Sequence, residues 1–189
     1  MTKILVINNH GQFCHLILRS LRDLDVDAKL VSNGLSKDEI MSHEPGGLIL
    51  SGGPSMERTG NCEIFVKNMS LPILGICLGH QLIAKTMGGK VGKGIHGGYA
   101  QIDIDIINEN DLFKGLGKKI SVWSSHADEL CELPKDFMIL ARSKHCDIEA
   151  MKHKDRPLYG VQFHPEVSHT NDGGDILLNF LSVCEDFKN

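Results

Sequence analysis

The run Pro72-Ile73-Leu74-Gly75-Ile76-Cys77-Leu78-Gly79-His80-Gln81 constrains this chain more than any other stretch. An apolar strand enters a Gly-x-Cys-x-Gly turn and leaves as a helix. This is the layout of a nucleophile elbow, with cysteine in place of serine. Glycines on both sides let the backbone turn sharply, so residue 77 projects from the tip. The helix that follows points its N-terminus at the sulfur, which favours the thiolate. Gln81 lies four residues on and shares a helix face with Cys77. The plain alternative is a glycine-bounded turn around a buried cysteine. Strand, both glycines and helix occurring together favour the nucleophile.

An elbow of this kind belongs to an α/β sheet, and the rest of the chain reads that way. Lys3–Ile7 is a continuous apolar run, the mark of a strand buried on both faces. Phe13–Leu24 has apolar residues at helical spacing. Val26–Val31 is a second strand, and Ser36 with Glu39 forms a capping box before a helix. Gly47–Leu50 is a third strand. A short helix follows near Cys62–Met69, then the strand Pro72–Ile76 and the helix Leu78–Met87, stopped by Gly88-Gly89. After residue 90 the texture changes. Ala100–Ile107 alternates polar and apolar residues, which suits a half-exposed strand. Ile120–Trp123, Phe137–Ala141, Ile148–Lys152 and Leu158–Phe163 are further strands, and Asp175–Val183 is an amphipathic helix. The first half reads as a doubly wound parallel sheet, the second as strands that continue or cap it. One domain over residues 1–189 is expected.

The 20 Lys and Arg against 24 Asp and Glu leave a net charge of −4, which speaks against a nucleic-acid binder. No apolar run is long enough to span a membrane. The N-terminal apolar run is too short for a signal peptide. Six cysteines at 14, 62, 77, 131, 146 and 184 show no C-x-x-C spacing. They are expected to be free thiols in a reducing cytoplasm. The ten histidines show no metal-ligand spacing, so no metal is expected.

A cysteine nucleophile needs a base, and the base needs an orienting group. Gly160-Val161-Gln162-Phe163-His164-Pro165-Glu166-Val167 supplies both. His164 and Glu166 are two residues apart, so on extended backbone they point to one side. Pro165 favours that extended backbone at His164. Glu166 is then placed to orient one ring nitrogen while the other faces Cys77. His80, three residues past Cys77, is the competing base. His126, within Ser124–Glu129, reads by itself as a structural loop histidine. The turn Ser51-Gly52-Gly53-Pro54 ends the third strand. A backbone N–H there, paired with that of Leu78, would make an oxyanion hole. Gly92–Gly97 matches G-x-G-x-x-G but leads into a strand, so the dinucleotide reading fails. Lys152–Arg156 reads as a solvated hairpin loop.

With these blocks the chain resembles the class I, or triad, glutamine amidotransferases from end to end. The resemblance rests on Ser51–Pro54, Gly75–Gln81 and Phe163–Glu166. Trp123–Glu129, Gly98–Gln101 and His164–Thr170 resemble the glutaminase branch found in GMP synthases. The chain departs from the family near its start: Asn8-Asn9-His10-Gly11-Gln12-Phe13 puts no acid at position 8. The resemblance implies a flavodoxin-like α/β fold, with a mostly parallel central sheet flanked by helices and extra strands in the second half. It implies Cys77 as nucleophile, His164 as acid/base and Glu166 as its orienter. Gly53 and Leu78 would supply the oxyanion hole. Gln81 would touch the substrate, with Gly98 and Tyr99 helping to hold it.

L-Glutamine would be hydrolysed to glutamate and ammonia through a thioester at Cys77. The ammonia would serve a separate ATP-pyrophosphatase (synthetase) subunit that converts XMP to GMP. This chain has no S-G-G-x-D-S pyrophosphatase loop, so ATP and Mg are expected on that partner and no cofactor in this chain. His126, Asp128 and His169 are the candidate docking residues. Three other readings stand beside this one: a glutaminase serving another acceptor, such as that of anthranilate synthase; a non-catalytic protein on the same fold; and a piece cut from a fused enzyme.

Overall fold

A computed structural model describes residues 2–109 and 111–188, without the side chains of residues 95–99. The first half alternates strand and helix as its apolar pattern requires. β1 (Ile4–Asn8), α1 (Cys14–Asp23), β2 (Ala28–Ser32), α2 (Lys37–Met41) and β3 (Gly47–Leu50) come first. α3 (Cys62–Asn68), β4 (Ile73–Ile76) and α4 (Leu78–Thr86) follow. Ser36 caps α2 as expected: Glu39 N–H donates to its hydroxyl, and its own N–H donates to the Glu39 carboxylate at 2.7 Å. The second half holds β5 (Lys90–Ile106), β6 (Lys119–Glu132), β7 (Phe137–Arg142), β8 (Ala150–His153), β9 (Leu158–Val161) and α5 (Gly173–Lys188).

Among the described residues, nine strands form one sheet in the order β2-β1-β3-β4-β9-β8-β7-β5-β6. The first five are parallel in the 2-1-3-4-5 order of a doubly wound sheet. The remaining pairings are antiparallel, so the added strands continue the sheet. Alternate residues of the parallel strands feed two cores. Ile4, Val6, Ile49, Leu74 and Ile76 meet α1 and α5 through Ile17, Leu21, Ile176 and Phe180. Leu5, Ile7, Leu48, Leu50 and Ile73 meet the opposite helices through Ile40, Phe65 and Ile83. Burial on both faces is why these strands read as unbroken apolar runs.

The largest departure from expectation is the β5–β6 ribbon. Expected strands of Ala100–Ile107 and Ile120–Trp123 are in fact 17 and 14 residues long. Pairing runs from Asp105–Lys119 to Lys90–Glu132, with an irregularity between Lys93 and Gly98. Segment 124–129, including His126, is therefore strand rather than loop. A ribbon with one wet face needs no continuous apolar pattern, so polar residues concealed it. Lys152–Arg156 does lead through the β8–β9 turn, but Arg156 is half-buried. Its guanidinium donates to Val66 O and Met69 O, capping the end of α3.

Candidate active site

The elbow forms where β4 meets α4. Cys77 adopts φ 54° and ψ −105°, a conformation that L-residues rarely hold. The surroundings enforce it. A Cβ on Gly75 would run into the Gly79 backbone, and one on Gly79 into Leu50 O. Cys77 N–H donates to Val161 O on β9 at 2.8 Å, and Cys77 O accepts from Gln81 N–H at 3.1 Å. Leu78 opens α4, so its own N–H has no carbonyl one turn earlier.

Beyond β9 the chain stays close to β6. His164 N–H donates to Trp123 O at 3.0 Å, and His164 O accepts from the Thr170 hydroxyl at 2.7 Å. Trp123 N–H donates back to Thr170 Oγ1 at 2.9 Å. This lattice fixes the imidazole. His164 Nδ1 lies 2.7 Å from Glu166 Oε1, with both side chains buried. Phe13 meets the ring edge-on at 5.0 Å. Burial opposes charge on the ring, but hydrogen bonds to Cys77 and Glu166 and their negative charge outweigh it. The imidazole pKa rises to about 10. The pair thus favours an imidazolium beside the sulfur.

The Ser51–Gly53 turn lies against both groups. A Cβ on Gly52 would stand 3.3 Å from His164 Cε1 and 3.6 Å from Cys77 Cβ. A buried polar network holds this turn. Asn9 N–H donates to Ser51 Oγ at 2.9 Å, and Asn9 Nδ2 to Ser51 O at 3.0 Å. Ser51 Oγ donates to Gly52 O at 2.9 Å, and Cys14 Sγ lies 3.0 Å from Ser51 Oγ. Asn33 Nδ2 and Cys62 Sγ both reach Asn9 Oδ1. Gly52 O is thus tied inward. Among the described residues no backbone carbonyl accepts from Gly53 N–H or Leu78 N–H.

Cys77, His164, Glu166, Gly53, Leu78, Gln81, His126 and Asp128 all line one cavity of about 700 Å³. Gln81 Nε2 donates to Asp128 O at 2.7 Å and to Gln162 Oε1 at 3.1 Å. Cys77 Sγ has Ser125 O at 3.8 Å. Burial lowers the His126 pKa, against the Asp128 carbonyl that its ring Nδ1 faces; positive charge on His164 lowers it further. Gly98 pairs with His126 and Tyr99 with Ser125, two β6 residues that line the cavity. The Tyr99 side chain lies outside the described residues. His169 is exposed, its ring tilted by 39° against the Trp123 ring at 4.9 Å, and does not line the cavity.

His80, the competing base, turns away. Its ring is fully buried against Gly160 and does not line the cavity. Burial lowers its pKa to about 3, with His126 adding to the effect. It stays neutral and packs. Sequence reasoning passed over Asn9, Gln162 and Thr170. Only Asn9 carries a signal, an amide directly after an apolar strand. The other two are identified by their partners in space.

The glutamine amidotransferase class-I family model matches residues 5–184. A glutamine-hydrolyzing GMP synthase subunit from Methanococcoides burtonii is 60% identical over 98% of this chain and 98% of its own length. The protein of the same name from Pyrococcus furiosus is 54% identical over 96% of this chain and 98% of its own. A crystal structure from Thermoplasma acidophilum, provisionally assigned as the corresponding GMP synthase subunit, superposes with a TM-score of 0.94 at 38% identity. It covers 100% of this chain and 96% of that one. Elbow, sheet order and family match agree: the chain belongs to the class I glutamine amidotransferases.

Proposed function

We propose that this chain is the glutamine-hydrolysing subunit of a two-chain GMP synthase, delivering ammonia to a separate synthetase subunit. The observation that carries this reading is near full-length identity of 52–60% to proteins named as glutamine-hydrolyzing GMP synthase subunits. The geometry supports the chemistry. The Cys77 thiolate, paired with the His164 imidazolium, attacks the side-chain amide carbon of L-glutamine. Gly53 N–H and Leu78 N–H stabilise the oxyanion as it forms. His164 gives its proton to the departing ammonia, and the neutral ring then activates water to cleave the thioester. Glu166 holds the ring and stabilises its charged form. Gln81 has both amide protons engaged, so its Oε1 is the group left to accept from the substrate.

None of these steps needs a metal or nucleotide from this chain; ATP and Mg act on the synthetase. The net charge of −4 argues against nucleic acid as a partner, and the six free thiols fit a reducing cytoplasm. His126 and Asp128 line the cavity from β6 and His169 lies against Trp123 of that strand, so this is the face proposed to dock the synthetase.

Glutamate release is the test, with the chain alone and then with synthetase, ATP and XMP. Cys77→Ala abolishes release with the melting temperature unchanged. Glu166→Gln removes the charge that helps hold the imidazolium, so the alkaline limb of kcat/KM moves to lower pH. Full hydrolysis by Cys77→Ala refutes the chemistry. Glutamate release without GMP formation in the complete mixture refutes the named partner.

A further inference from the structure

The side-chain amides behind Cys77 have a defined orientation, and the reason starts at a backbone carbonyl. Asp128 O can only accept, so the Gln81 atom 2.7 Å from it is Nε2. The second N–H of that amide reaches Gln162 at 3.1 Å and must meet its acceptor, Oε1. Gln162 is thereby turned so that Nε2 faces Cys77 Sγ at 3.7 Å. Gln162 is fully buried, and its own N–H donates to Glu149 O at 2.7 Å. Flipping Gln81 would set its oxygen against the Asp128 and Gln162 oxygens, and flipping Gln162 would set donor against donor, both in a buried place. Besides the His164 imidazole, itself held by Glu166, the sulfur thus has one neighbour that only accepts, Ser125 O, and one uncharged donor, Gln162 Nε2.

We propose that Gln162 takes part in the reaction by donating a hydrogen bond to the Cys77 thiolate, and that Gln81 is the positioning residue that orients it from β6. A donor to the charged form favours that form, whereas Ser125 O favours the thiol. Gln162 therefore offers negative charge on the sulfur a fixed donor before substrate arrives. It also fixes the sulfur relative to His164, two residues along the same chain. β6 sets this through the Asp128 carbonyl, not the Asp128 carboxylate. The inference rests on Cys77 being the nucleophile.

The test is the pH dependence of Cys77 alkylation by iodoacetamide in the whole chain, read on the Cys77 peptide by mass spectrometry. Gln162→Glu keeps an acceptor for Gln81, removes the donor and brings negative charge to the sulfur. Its alkylation midpoint rises by about one pH unit or more. Gln162→Met removes the donor without adding charge, so its midpoint rises less. In both variants kcat for glutamine falls about tenfold while KM stays close to wild type. An unchanged midpoint in Gln162→Glu overturns the proposal. If neither variant folds, the wild type decides by NMR. The Gln162 side-chain amide resonances move with the midpoint of Cys77 alkylation, and resonances that stay fixed across it overturn the proposal. Alkylation needs no glutamine. A predicted shift in a chain that never hydrolyses glutamine therefore refutes the proposed function and leaves the Gln162 contact standing.

Discussion

The parallel strands and the outer ribbon serve the site by different means. β3, β4 and β9 lead into turns that present Gly52–Gly53, Cys77 and, past β9, His164 to the cavity, while Asn9, after β1, braces the first of these turns from behind. β6 reaches the same groups with its backbone. Trp123 O accepts from His164 N–H, Ser125 O faces Cys77 Sγ, and Asp128 O fixes Gln81. A strand that acts through carbonyls tolerates changes of side chain but not of register. A turn that acts through close approach tolerates neither. The parallel half should therefore be sensitive to a single added methyl group. The antiparallel half should accept substitutions and, where it buries charge without need, be improved by them.

Gly53→Ala is the sharpest way to break the first half of that comparison. The new Cβ would run into Asn9 O and the Leu78 side chain. The turn must shift, carrying the Gly53 N–H away from the oxyanion position. Losing one such donor lowers kcat for glutamine about 10²–10³-fold, with the fold retained. Steady-state glutamate release together with thermal melting checks this. Activity within threefold of wild type would remove Gly53 from the site.

The same contrast explains what the amino-acid sequence discloses. β1, β3 and β4 are buried on both faces, so they appear as Lys3–Ile7, Gly47–Leu50 and Pro72–Ile76, within a residue or two of the observed bounds. The elbow is legible because only glycine fits at 75 and 79. His164 and Glu166 are legible because their two-residue spacing survives in space. The ribbon is concealed for the opposite reason: its polar residues satisfy a solvated face, and its pairing is set by partners distant in the chain. Gln162 and Thr170 act through contacts 85 and 47 residues away, which no local pattern encodes. His80, beside the nucleophile in sequence, is turned from it by helix geometry.

Glu149, just before β8, tests the second half of the comparison with a smaller effect. It is fully buried. Burial raises its pKa to about 7; Glu129 adds to the rise and the Ser143 hydroxyl opposes it. The native state therefore binds this proton more tightly than the unfolded chain does. Stability falls as pH rises from the ordinary carboxylate value of 4.5 toward 7, and the deficit persists above that. Glu149→Gln removes the deficit. The variant should melt with wild type near pH 4.5 and at a clearly higher temperature at pH 8, by about 5 °C or more. A lower melting temperature at pH 8 would mean that the charge is needed where it stands.

The central claim is that Cys77, and no other thiol, carries the chemistry. Cys14 lines the same cavity only 3.0 Å from Ser51 Oγ, and Cys131 is the exposed thiol, so each is a fair competitor. Treating the whole chain with 6-diazo-5-oxonorleucine, a glutamine analogue that alkylates attacking thiolates, and locating the adduct by peptide mass spectrometry decides among them. The account predicts one adduct per chain, on Cys77, lost in Cys77→Ala and slowed by excess L-glutamine. An adduct on Cys14 or Cys131, or labelling that persists in Cys77→Ala, would contradict it.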